Sequence, residues 1–170
     1  MPINLKDLDV VPELAGVSSA LIVPCNMCPA VTVALREGKP FIQLFKSFFK
    51  SAPFARHIEA LQSRLEEEGI HTRVFNSNLP HHFFVCMWTS GRRKKLRKQA
   101  EQYEAVIVLG CDSATETVRE AVESTDCKVV QGMEVVGFTN AKLKFKLPCS
   151  ITFEDGKIIP ISRQKKEEDP

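Results

Sequence analysis

Short apolar runs alternate with helix-period patterns through the first three quarters of the chain. Residues 20–24 and 105–109 are continuously apolar and of strand length, the pattern of strands buried on both faces of a parallel sheet. Residues 70–76 alternate in part and predict a further strand. Helical patterns lie between them. Pro29 suits the first turn of a helix that stops at Gly38. Residues 54–68 set Phe54, Ile58, Leu61 and Leu65 along one side of a helix ending at Gly69. Residues 91–103 hold only Leu96, Ala100 and Tyr103 as an apolar stripe among six cations. A helix over about 113–123 follows the run at 105–109, with Thr115, Glu116 and Glu120 in its early turns, where acidic groups suit the positive end of the dipole. Residues 127–131 predict one more strand.

Other stretches are less regular. Residues 1–19 read as a lead-in with little periodicity, and Pro12 and Gly16 argue against a long helix there. In residues 41–50, Phe41, Leu44, Phe45, Phe48 and Phe49 fall on one helical face opposite Lys46 and Lys50. That face suits the core, a dimer contact, a partner or a membrane surface, and a strand is the weaker alternative for the segment. Residues 77–90 form a long connection that mixes His81, His82 and Cys86 with apolar anchors. Beyond 132, short runs are separated by Gly132, Gly137, Asn140 and Pro148, and Asp155-Gly156 signals a hairpin between residues 151–153 and 157–159. Residues 163–170 read as a flexible polar tail.

Strands alternating with helices predict an α/β fold of three-layer, Rossmann- or flavodoxin-like kind. The expected order of the short parallel sheet is 2-1-3, counting the runs at 20–24, 70–76 and 105–109. One domain spans 1–162, with its core over about 20–131 and a strand-rich extension over about 132–162.

Composition narrows this modestly. The 170 residues are 44% hydrophobic and 26% charged, ordinary for a globular chain able to bury a core. The net charge of +2 exerts no global pull toward nucleic acid, so nucleic acid is not the expected partner. The basic run Arg92, Arg93, Lys94, Lys95, Arg97 and Lys98 suits a solvated face or an acidic counterpart such as residues 66–68 as well as phosphates. No apolar run is long enough to span a membrane, and residues 1–9 lack a signal-peptide pattern, so a cytoplasmic protein is expected. A protein partner or a homo-oligomer is expected as well.

The six cysteines carry the candidate chemistry. In a reducing compartment they are thiols, ligands or redox groups rather than a disulfide framework. Cys25 and Cys28 form a C-x-x-C turn between the run at 20–24 and the helix at Pro29. Cys111 occupies the same place after the run at 105–109. With order 2-1-3 these two strand exits face each other across the crevice where α/β sheets bind ligands. Cys86 lies on the connection running toward the same end. Cys25, Cys28, Cys86 and Cys111 are therefore candidate ligands of Zn or an iron–sulfur cluster. Alternatively, Cys25, Cys28 and Cys111 are candidate catalytic thiols, a redox dithiol or a nucleophile. Gly110, Cys111, Asp112 and Ser113 are a cofactor-binding candidate, the glycine admitting a phosphate to a helix N-terminus. Cys127 starts a strand and reads as structural, as does His57 beside its apolar stripe. Cys149 stays open between ligand and buried residue.

The words Cys25-x-x-Cys28, Gly110-Cys111, residues 113–118 and Val129-Val-Gln-Gly-Met-Glu134 together resemble one family. They look like the small cysteine-containing proteins similar to the C-terminal region of methylenetetrahydrofolate reductases of anaerobic one-carbon metabolism. The resemblance covers about residues 20–138. The cysteine- and glycine-rich motif near the end of that family is absent, with Cys149 alone in the region. The resemblance implies an accessory subunit carrying a metal or cluster for methyl or electron transfer, with Cys25, Cys28 and Cys111 as the carried-over residues. Two other functions stay open on the residues: a thiol-based enzyme, and a non-catalytic partner-binding protein using the Phe-rich face or the basic helix.

Overall fold

A computed structural model describes residues 3–43, 51–75, 84–146 and 150–161. Along the chain run β1 (Ile3–Asp7), β2 (Ser19–Pro24), α1 (Cys28–Arg36), β3 (Ile42–Gln43), α2 (Ala52–Glu67), β4 (His71–Val74), α3 (Ser90–Ala100), β5 (Ala105–Leu109), α4 (Asp112–Val122), β6 (Lys128–Gln131), β7 (Met133–Lys146) and β8 (Ser150–Pro160). Short 3-10 turns sit at Pro12–Leu14 and Val85–Met87.

Two four-stranded sheets divide these strands. The first is parallel, in the order β4-β2-β5-β6. Counted as in the sequence, that is 2-1-3 with a fourth strand added beyond, so the expected order holds. Every residue of β5 is buried, as are residues 20–24 of β2. That is why both runs are continuously apolar: each lies between two neighbours and is covered on both faces. α1 packs against α2, and α3 packs against α4. Phe54 and Leu65 from α2 and Leu96 from α3 are buried, each worth roughly 1.5–3 kcal/mol of transfer free energy. The result is a mixed α/β fold.

The second sheet is antiparallel, in the order β1-β7-β8-β3. A single residue, Gly132, separates its strand β7 from β6 of the first sheet. Its edge strand β1 is fastened to α1. The Thr32 hydroxyl accepts a hydrogen bond from the Leu5 amide at 3.3 Å and donates to the Ile3 carbonyl at 3.4 Å. Arg36 pairs with Asp7 and donates to the Leu5 carbonyl. His57 Nε2 stands 3.4 Å from Asp7 Oδ1 and its ring stacks on Phe54, so this histidine is structural.

Four expectations change. Residues 3–7 are a strand and not a featureless lead-in, because their partner, β7, lies at the other end of the chain. The strand-rich segment after 132 is no appendage, since β1 and β3 complete its sheet. Asp155-Gly156 is not a hairpin turn. Residues 151–153 and 157–159 belong to one strand, β8, and the dipeptide forms a β-bulge opposite Ala141, between the pairs Lys142↔Glu154 and Asn140↔Lys157. Asp155 takes φ 52°, the left-handed conformation for which Asp is among the more tolerant residues. In residues 41–50, Ile42–Gln43 pair with β8 as a strand in place of a helix, and 44–50 lie outside the described residues. His81, His82, Cys149 and the tail beyond 162 lie outside them too.

Candidate thiol site

The parallel strands end at the same level, and the chain places a cysteine at each central exit. Beyond Pro24, the Cys25 amide still donates to the Leu109 carbonyl at 2.9 Å, continuing the β2–β5 ladder by one rung. Cys25 is thereby held beside the exit of β5, with 3% of its surface exposed. Two residues of turn follow, and Cys28 opens α1 with Pro29 behind it. On the neighbouring strand, Gly110 follows β5 and Cys111 is the N-cap of α4, its carbonyl accepting from the Ala114 and Thr115 amides at 2.9 Å. Cys28 and Cys111 thus both sit at helix N-termini, where unpaired amides favour negative charge.

Gly110 is what lets these elements approach. A Cβ there would lie 2.7 Å from the Ala114 Cβ and 3.5 Å from the Cys25 Cβ. Close packing of β2, β5 and α4 therefore accounts for the glycine. Asp112, the first residue of α4, accepts from Gln131 Nε2 at 2.7 Å, and Ser113 is exposed. An acidic residue thus occupies the N-terminal turn that a phosphate would approach.

Cys86 reaches the same end by a different route. The turn at Val85–Met87 packs against α4, with Val85 fully buried and Cys86 exposed. Val85 supplies a backbone hydrogen bond to the Cys25 sulfur, which fixes the turn over the C-x-x-C loop. Trp88, packed on Phe75 with ring centroids 5.4 Å apart, anchors the turn from behind. The backbone of Ile3 reaches Cys28, so β1 also borders the site.

The electrostatics follow from this crowding. Burial pushes the Cys25 thiol up to about 12, only partly offset by backbone hydrogen bonds from Val85 and Met27, with the charges of Cys28 and Cys111 adding to the rise. Cys28 is raised by burial, then by Cys111 and Cys86. Cys86 is raised by burial and by Cys111. Cys25, Cys28 and Cys111 therefore lie within electrostatic reach of one another, and Cys86 within reach of Cys28 and Cys111. They are not drawn up as a formed ligand set: among the described residues, no group of three or more His, Cys, Asp or Glu side chains is arranged to hold a metal ion.

These shifts bear on the chemistry. A catalytic nucleophile needs a lowered thiol pKa and access. Cys25 has neither, and it is the first cysteine of the C-x-x-C, the one that attacks in a dithiol exchange of the thioredoxin type. Cys25, Cys28 and Cys86, each raised by burial, are disfavoured as nucleophiles.

Compared with known proteins, the chain matches no family model, no curated protein and no solved structure.

The other cysteine of the described residues is separate. Cys127 Sγ lies 2.9 Å from the Ala100 carbonyl and 2.6 Å from that of Tyr103, tying the start of β6 to the end of α3. This is the structural role expected of it. Of the basic run, Arg93 pairs with Glu120 and Arg97 donates to the Ala121 carbonyl, both onto α4. The backbone groups of Val85, Met27 and Ile3 escaped the reading of the sequence, because amides carry no residue-type signal. No helix of the described residues is long and apolar enough to cross a membrane.

Proposed function

We propose that this protein is an accessory protein that carries a soft metal ion or an iron–sulfur cluster on Cys25, Cys28, Cys111 and Cys86. The single observation behind this reading is the gathering of four sulfurs, each within reach of others' charge, at the adjoining exits of β2 and β5. Such crowding of groups that repel one another when ionised favours a cation, which bound thiolates would hold as a Lewis-acidic or redox centre. With right-handed crossovers the pairs α1–α2 and α3–α4 fall on opposite faces of the sheet, a three-layer arrangement of Rossmann- or flavodoxin-like kind. In that arrangement the site occupies the switch point where such folds bind ligands. The resemblance to one-carbon proteins supports methyl or electron transfer as the setting, in the reducing cytoplasm.

Anaerobic purification followed by metal analysis and Co²⁺ titration tests the proposal. One ion per chain is expected, with thiolate-to-metal absorption, release of bound protons and loss of the band in Cys25→Ser and Cys111→Ser. A metal-free chain that gives no band, or a band unchanged in both variants, would sink it.

A further inference from the structure

A cavity of about 380 Å³ lies between the second half of α1 and the antiparallel sheet. Leu35 and Arg36, the last residues of α1, line one side of it. Asn4 of β1, Thr139 of β7, and Phe153 and Ile158 of β8 line the other. A space of this size suits a small ligand. Its apolar walls are interrupted by two polar groups set into the sheet. Asn4 is 6% exposed and Thr139 1%. Asn4 pairs with Gly137 across the ladder, so Thr139, two residues further on, shares its face. Asn4 Nδ2 donates to the Thr139 hydroxyl at 3.4 Å, a long bond that uses one of the two amide hydrogens. The other hydrogen and the carbonyl oxygen meet no partner among the described residues. The Thr32 hydroxyl also reaches the lining, but it is used in both directions on β1. A buried amide left unserved costs about 1–3 kcal/mol, which a guest that serves it would recover.

We infer that this cavity is a binding site for a small, uncharged, planar heterocycle, which presents a lactam edge to Asn4 and its ring to Leu35, Phe153 and Ile158. The side-chain amide sets a donor and an acceptor side by side. A lactam sets its own carbonyl and N–H side by side in the opposite sense, so two hydrogen bonds form together. The Thr139 hydroxyl hydrogen, unused among the described residues, is placed to join them. An anionic guest is disfavoured, because Arg36, the charged residue of the lining, is already held by Asp7 and the Leu5 carbonyl. A wholly apolar guest would leave the Asn4 groups unserved. The cavity stands whether or not the sulfurs bind a cation.

The test titrates the full chain, followed by NMR, with three probes of similar shape: the bicyclic lactam carbostyril, naphthalene and naphthoate. Carbostyril is expected to saturate a single site per chain and to bind at least about tenfold more tightly than either of the others. In Asn4→Leu/Thr139→Val the order is expected to reverse, with naphthalene gaining and carbostyril losing at least about tenfold. Replacing both polar partners together is expected to leave the thermal midpoint within a few degrees of the parent, so the reversal is read on a folded protein. Ile158 lines the cavity and is 59% exposed, which places it at the mouth. Ile158→Trp is therefore expected to narrow the entrance without disturbing the core and to weaken carbostyril severalfold. This second variant decides the matter if the double variant fails to fold. The proposal is overturned by a parent that does not bind carbostyril, or binds it no more tightly than naphthalene or naphthoate. Carbostyril affinity unchanged in Ile158→Trp, or in a folded double variant, overturns it as well.

Discussion

At the scale of single residues, Cys25 and Gly110 carry the sharpest consequences. Cys25 holds its proton in the folded state up to about 12, whereas an unfolded thiol loses it near 8.5. Above that lower value the unfolded chain binds fewer protons than the native one, so stability falls as pH rises. The contribution is complete below about pH 8.5 and is lost progressively toward pH 12, at up to about 1.4 kcal/mol per pH unit for this one thiol. Denaturant midpoints measured between pH 8 and 11 are expected to decline, and to decline less steeply in Cys25→Ala. Parallel curves for the two proteins would contradict the assignment. Gly110→Ala drives a Cβ to 2.7 Å from that of Ala114, which cannot swing aside because it is fixed to the α4 backbone. A loss of about 1–3 kcal/mol is expected from such overpacking. Since α4 carries Cys111 at its N-cap, Co²⁺ affinity is expected to fall with it, as the titration would show.

Elements show how far local chemistry speaks for itself. The runs at 20–24 and 105–109 were legible because burial on both faces leaves no room for polar residues. Asp155-Gly156 was legible as a left-handed site and misleading as a turn. The tight hairpin turn and the β-bulge both need φ > 0, so the dipeptide says where the backbone twists but not whether the chain reverses. Asp155→Val is therefore expected to cost about 1–2 kcal/mol, since a β-branched residue pays the full left-handed penalty. Asp155→Gly is expected to stay within about 1 kcal/mol of the parent, losing only an exposed pair with Lys142. Thermal denaturation of both decides this, and equal midpoints would remove the conformational account. On α1, Thr32→Val strips the hydroxyl that serves the buried Leu5 amide, with an expected loss of about 1–3 kcal/mol by the same measurement.

For the molecule as a whole, legibility ends where partners are distant in sequence. The expected order of the parallel sheet is one among those that the succession of strands and helices allows; the observed order matches it, and with it comes the approach of Cys25 to Cys111. The placement of Cys86 does not follow from that succession, because it depends on a turn docking its backbone onto the C-x-x-C loop. β1 was invisible for a related reason. Two buried residues, Asn4 and Leu5, give too short a pattern to read, and the strand exists only because β7 receives it.

That pairing also sets an order of events in time. The hydrogen bond between Asn4 and Thr139 joins residues separated by 135 positions. At a synthesis rate of about 5–20 residues per second, β1 emerges roughly 7–27 s before its partner strand. Throughout that interval β1 waits with an unsatisfied edge, while the parallel sheet is completed only as β6 emerges just ahead of β7. Closure of the second sheet is thus the late step of folding, and the stage at which a nascent chain is most open to chaperones or to a neighbouring copy.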